Sequence, residues 1–158
     1  MKIMVSGAAG FLGYHLAKSL SEDLSKQIIC VDNGIRGEFD DLYMNLLARD
    51  NVTGYDVDLN KPEALNTLPK QVDVIYHLAA LNGTQNFYER PFEVVRCCTL
   101  PTLNLLGKYV PTGKLKRFVY AGTSESYASP VTRFNWPVPT ADWRKAVANA
   151  AASAETSA

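Results

Sequence analysis

Val5-Ser6-Gly7-Ala8-Ala9-Gly10-Phe11-Leu12-Gly13 follows a short apolar run and leads straight into a helical pattern. A buried parallel strand that ends in spaced glycines and turns at once into a helix forms a cradle for a dinucleotide. Gly7 permits the tight turn out of the strand. Gly10 lets the backbone approach a pyrophosphate with no Cβ in the way, and Gly13 lets the new helix pack closely on the strand. The helix N-terminus adds unpaired N–H groups and a partial positive charge for phosphates. Such a turn alone also suits an ordinary tight βα connection, so its surroundings decide. Gln27-Ile28-Ile29-Cys30-Val31-Asp32 reads as a second buried strand ending in an acid. It lies about twenty residues past the glycines, where a carboxylate accepts hydrogen bonds from the adenosine ribose hydroxyls. Asp32 would repel a 2′-phosphate, which favours NAD over NADP. Arg36, read as a solvated loop residue, bears on the same choice.

Outward from this stretch the pattern alternates between strand and helix. Lys2 to Ser6 is predicted as the first strand, and Phe11 to Leu20 as a helix with Leu12, Leu16 and Leu20 on one face. A glycine-containing loop runs through Gly37. Phe39 to Arg49 reads as a second helix with Leu42, Leu46 and Leu47 turned inward. Val52 to Val57 is a short third strand, and Pro62 to Leu68 a short helix with proline in its first turn. Val72 to Leu78 is a continuous apolar strand, as expected when both faces are buried. Pro91 to Val110 reads as a long helix that Pro101 should kink or divide, and Phe118 to Ala121 as a fifth strand. This order predicts an α/β fold, a doubly wound parallel sheet with right-handed crossovers. The expected organisation is a domain over residues 1–140 and an alanine-rich, frayed or disordered tail over 141–158.

The bulk numbers narrow the function classes. The 158 residues fit one domain with a substantial core. Sixteen basic and sixteen acidic residues balance, so neither nucleic acid nor an anionic membrane surface is an expected partner. Gly7, Gly10 and Gly13 interrupt any signal-peptide core, and no apolar run approaches transmembrane length. The three cysteines, Cys97 and Cys98 adjacent among them, make neither a metal spacing nor a disulfide framework. Reduced thiols in a cytoplasmic protein are the plain reading, with no metal. His77, at the end of a buried strand, reads as a satisfied core group, and His15 as a surface or packing residue.

Five stretches together resemble the extended short-chain dehydrogenase/reductase family, and within it the NAD-dependent nucleotide-sugar epimerases and dehydratases. The first is Ser6-Gly7-Ala8-Ala9-Gly10-Phe11-Leu12-Gly13, and the second Val31-Asp32-Asn33. The third is Asp58-Leu59 ahead of Asn60-Lys61-Pro62. The fourth is His77-Leu78-Ala79-Ala80, followed by Asn82 to Pro91. The fifth is Phe118-Val119-Tyr120-Ala121-Gly122-Thr123-Ser124-Glu125-Ser126-Tyr127. The resemblance implies a Rossmann fold whose NAD contacts fall on Gly7, Gly10, Phe11, Leu12, Gly13, Asp32, Asn33, Asp58, Leu59, Leu78, Ala79 and Ala80. Asp58 would accept from the adenine amine, and the Leu59 N–H would meet a ring nitrogen. In such enzymes a tyrosinate, lowered in pKa by a lysine, takes a proton from a sugar hydroxyl while hydride passes to NAD. The resemblance places Thr123 as the hydroxyl that orients the substrate oxygen. Ser124 stands where hexose dehydratases tend to carry an aspartate, which favours epimerase or decarboxylase chemistry. Cys98 and Pro101 replace an asparagine and a glycine common in the family's central helix.

The family's Tyr-x-x-x-Lys pair is missing from these 158 residues: no tyrosine follows Tyr127. The likeness stops after Pro137-Val138-Pro139-Thr140, as a shifted or shortened reading frame would produce. The expectation is therefore a truncated fold without the C-terminal substrate lobe, which binds NAD and does not turn over a nucleotide sugar alone. A non-catalytic NAD-binding module with a structural or sensing role is the alternative, although a sensor would have little reason to keep Thr123-Ser124-Glu125. Relatives dimerise through helices flanking the sheet, one of which carries the absent pair, so a homodimer is not expected of this chain.

Overall fold

The computed structural model describes residues 1–122, of which Met1–Ala121 make one compact unit. Thr123, the expected domain end at residue 140 and the alanine-rich tail lie outside the described residues. The strands are β1 (Lys2–Ser6), β2 (Gln27–Asp32), β3 (Val52–Asp56), β4 (Val74–His77) and β5 (Arg117–Tyr120). All pair in parallel, in the order β3-β2-β1-β4-β5. The helices are α1 (Phe11–Leu20), α2 (Asp41–Leu47), α3 (Thr84–Glu89) and α4 (Pro91–Tyr109), with 3₁₀ turns at Pro62–Thr67 and Val110–Thr112.

The period of two along a strand sends alternate side chains to opposite faces, and here each face meets its own helices. Ile3, Val5, Ile28 and Cys30 pack with Ala17 of α1 and with Tyr43 and Leu46 of α2. Met4, Ile29, Val31 and Ile75 pack on the other face with Leu105 and Tyr109 of α4 and with the β3–β4 connection. Two apolar layers on one parallel sheet are what double winding requires. Among the described residues no helix is long and apolar enough to cross a membrane.

Several local expectations change. The buried face of α1 consists of Gly13 and Ala17, whereas Leu12 is exposed and Leu16 and Leu20 are half-buried. The helix backbone presses so closely on the preceding turn that only small residues fit inward. In α2 the Asp40 carboxylate accepts from the Tyr43 N–H at 2.8 Å and fixes the start at Asp41, two residues after the expected Phe39. Tyr43 and Leu46, three apart, form the buried face, Leu42 points to solvent, and Leu47 is half-buried. The fourth strand is shorter than its apolar run, because Val72 precedes the ladder and Leu78 leaves it. Pro101 does not divide α4, which runs unbroken through it. The helix α3 carries no apolar period and was not legible in the sequence.

Candidate nucleotide-binding site

The strand order reverses between β1 and β4, since β1 is followed by β2 on one side and β4 lies on the other. A crevice opens at the carboxyl ends of such neighbours, the place where open α/β sheets bind ligands. The glycine turn enters it from β1, and Leu78, Ala79 and Ala80 enter it from β4. The Leu78 N–H donates to the Ser6 carbonyl at 3.0 Å, so the two chain segments stay hydrogen-bonded one residue past the ladder, at the edge of the crevice. The turn is also tied to β2, where Gly7 N–H donates to the Val31 carbonyl at 2.8 Å.

The three motif glycines differ in what they do for the fold. Gly7 has φ +75°, and a Cβ there would lie 2.8 Å from the Ala79 nitrogen. A Cβ on Gly13 would lie 2.0 Å from the Gly7 carbonyl oxygen. Both are demanded by chain packing. Gly10 has an ordinary φ of −78°, and its Cβ would meet only the Gly7 oxygen at 3.3 Å. A methyl group there would ask the Gly7 carbonyl to give by a few tenths of an ångström, far less than at Gly7 or Gly13, so the chain's own packing presses least on the bare backbone at Gly10. No side chain caps α1 and its first turn holds no acid, which leaves its first N–H groups available to an anion. Phe11 and Leu12 beside them are 79% and 66% exposed.

Asp32, at the end of β2, accepts from Ala9 N–H through Oδ2 and from Asn33 and Gly34 N–H through Oδ1, each at 2.9 Å. A carboxylate offers about four acceptor positions, so capacity for a ribose hydroxyl remains. Gly37 in the following loop packs on the turn, since a Cβ there would sit 2.6 Å from the Ala9 carbonyl carbon. Arg36 donates to the Asn82 carbonyl at 2.6 Å and so links the loops after β2 and β4, a tie absent from its reading as a solvated residue. Asn33 accepts from Ile35 N–H at 3.2 Å.

Asp58 and Leu59 follow β3. The Asp58 carboxylate accepts from both the backbone and side-chain N–H groups of Asn60, at 3.0 and 2.8 Å. Leu59 is buried and its carbonyl accepts from Asn104 Nδ2 at 2.8 Å. The structure therefore gathers the turn, Asp32, Asn33, Leu78, Ala79 and Ala80 along one sheet edge, with Asp58 and Leu59 at the neighbouring strand end. Gly37 and Asn104 were missed as supporting residues. A lone loop glycine and a half-buried helical asparagine carry no signal in a single sequence.

Two buried groups at this edge are not nucleophiles. Burial and the nearby Asp32 charge push the Cys30 thiol up to about 12, so it is protonated and inert. Burial lowers His77 to about 4, so the ring is neutral at pH 7. Its Nδ1 is hydrogen-bonded to Ser6 Oγ at 2.6 Å. Its Nε2 is buried without a partner among the described residues, so the expectation of a fully satisfied core histidine is half met. Among the described residues no group of three or more His, Cys, Asp or Glu side chains could hold a metal ion.

Comparison with known proteins identifies the family. The family model described as NAD dependent epimerase/dehydratase matches residues 3–142. UDP-glucuronic acid decarboxylase 5 of Arabidopsis thaliana is 30% identical over 143 residues, covering 90% of this chain and 39% of the relative. An uncharacterized UDP-glucose epimerase of Bacillus subtilis is 33% identical over 131 residues, covering 80% of this chain and 41% of that protein. Among solved structures, UDP-glucuronic acid 4-epimerase from Bacillus cereus, in complex with UDP-glucuronic acid and NAD, superposes with a TM-score of 0.68 at 27% identity. That match covers 80% of this chain and 41% of the other. The UDP-Glc/GlcNAc 4-epimerase of Campylobacter jejuni gives a TM-score of 0.70 at 27% identity, over 82% and 39% of the two chains. The chain thus spans about two-fifths of the length of the relatives it matches, and it belongs to the NAD-dependent epimerase/dehydratase family.

Proposed function

We propose that the crevice between β1 and β4 holds NAD, and that the chain contributes this cofactor site to an epimerase or decarboxylase acting on a nucleotide sugar. The observation that carries the reading is Gly10. It is the motif glycine on which the chain's own packing presses least, and it stands at the uncapped start of α1. In this reading the N–H groups of Phe11 and Leu12 meet the pyrophosphate. Asp32 takes a ribose hydroxyl, and Asp58 with the Leu59 N–H reads the adenine edge. Leu78, Ala79 and Ala80 form the backbone wall. NAD bound there would supply a hydride acceptor for a sugar carbon, with Thr123 orienting the sugar oxygen.

Relatives that act on UDP-glucuronic acid or UDP-glucose support a nucleotide sugar as the substrate class. These 158 residues hold no Tyr-x-x-x-Lys pair to act as the poised base, so the chain alone is expected to bind without turning over. Calorimetric titration with NAD, NADP and ADP tests the site, and incubation with NAD and UDP-sugars tests turnover. The expected result is saturable binding of NAD and ADP, weaker binding of NADP, and no converted sugar. Absence of NAD binding would sink the cofactor reading. Conversion of a UDP-sugar above a protein-free control would show that another residue serves as base.

A further inference from the structure

Ser6 and His77 are the last residues of β1 and β4 and stand directly opposite each other in register. Both are buried, with 0% and 2% of their surface exposed. The bond between Ser6 Oγ and His77 Nδ1, at 2.6 Å, crosses the two strands immediately before they diverge into the crevice. Ser6 precedes Gly7, the pivot of the glycine turn, and His77 precedes Leu78, the start of the facing wall. The ring lies 5.9 Å from that of Phe118 and 5.8 Å from that of Tyr120 on β5, which fixes its orientation. Two apolar residues would fill this space without any polar group to satisfy, and an Nε2 with no partner among the described residues is a cost that packing alone does not explain.

We propose that Ser6 and His77 form a positioning pair that sets the separation between the glycine turn and the Leu78–Ala80 wall, and thereby the fit of the crevice to a dinucleotide. The tolerance there is small, because a Cβ on Gly7 would already lie 2.8–2.9 Å from backbone atoms of Leu78 and Ala79. A shift of a few tenths of an ångström between the strand ends would move both walls of the site. The ligand part of this inference rests on the NAD reading above. The positioning part does not.

The test uses two variants of the whole chain. Ser6→Ala/His77→Phe removes the bond without stranding a buried hydroxyl. His77→Asn keeps an amide close to where Nδ1 stands and so retains a partner for Ser6. Backbone amide exchange is measured without ligand at 7–9 and 78–80, alongside thermal melting and NAD titration. The double variant is expected to keep its melting temperature, to exchange faster at those two segments, and to bind NAD about tenfold more weakly. The Asn variant is expected to restore both readouts. Unchanged exchange at both segments in the folded double variant overturns the proposal. Wild-type protein that fails to bind NAD counts against the cofactor reading, and the exchange data then decide the positioning pair.

Discussion

At the residue scale the three motif glycines, given distinct roles by their places in the turn, separate into two kinds. An alanine at Gly13 would place its methyl carbon 2.0 Å from the Gly7 carbonyl oxygen, a backbone atom that cannot swing away. Gly13→Ala is therefore expected to cost about 3 kcal/mol or more, at the severe end of overpacking. Gly10→Ala meets one contact at 3.3 Å from an ordinary backbone conformation. The lower entropy of the unfolded alanine chain offsets that contact, so the change in stability should stay within about 1 kcal/mol. Its NAD affinity should nevertheless fall at least about tenfold, since the methyl group occupies the clearance a phosphate needs. Chemical denaturation and calorimetry on the two variants separate the effects. If Gly10→Ala binds NAD normally, Gly10 is not part of the site. The sequence revealed the positions of these glycines because the spacing is set by one turn and one helix start. The same spacing assigned Gly7 and Gly13 to the chain and Gly10 to a ligand, but it did not reveal that Gly7 is also pressed by Ala79, seventy-two positions away.

At the element scale the supporting role of α4 was the least legible part. Its apolar period predicted a helix over nearly the right range, and Pro101 argued for a break. The break is absent because the flanking turns are held from outside. Asn104, Lys108 and Tyr109 donate to the carbonyls of Leu59, Leu65 and Pro69 at 2.8, 2.7 and 2.9 Å. These three bonds stitch the helix along the connection from β3 to β4, and they join residues forty or more apart in sequence. They also make different predictions. Tyr109→Phe strands the Pro69 carbonyl and should lower stability by about 1–2 kcal/mol with no change in ligand affinity. Asn104→Ala releases the carbonyl of Leu59, whose N–H is proposed to read adenine. It should narrow the preference for ADP over IDP, because the hypoxanthine base presents a carbonyl where adenine presents an amine. Parallel titrations of both nucleotides against the two variants check this. An unchanged ADP-to-IDP ratio in Asn104→Ala would mean that α4 braces the fold and not the recognition loop.

For the whole molecule, the buried ring that joins β1 to β4 also links stability to acidity. The unfolded chain binds a proton on His77 at the ordinary value of 6.5, while the folded chain binds it only at about 4. Between those limits the unfolded state holds more protons, so stability rises with pH. The contribution is complete above about pH 6.5 and is lost steadily as the pH falls toward 4, amounting to about 3 kcal/mol across the window. Two carboxylates act in a lower range. Hydrogen bonds from Ser25 hold Asp23 down to about 2. Bonds from the Lys2 N–H and from Lys116 lower Asp73, which ties the start of β1 to the approach to β5. Their stabilisation is present above the usual 3.8 and fades only below it. Urea unfolding at intervals from pH 7.5 to 3 should therefore show a decline that begins near 6.5, well above the carboxylate range. Ser6→Ala/His77→Phe should flatten that decline while leaving the loss below pH 4 intact. A wild-type curve that is flat down to pH 4.5 would mean that the ring is not buried as neutral imidazole. The bond to Ser6 would then need another account, and with it the register of the two strands that frame the crevice.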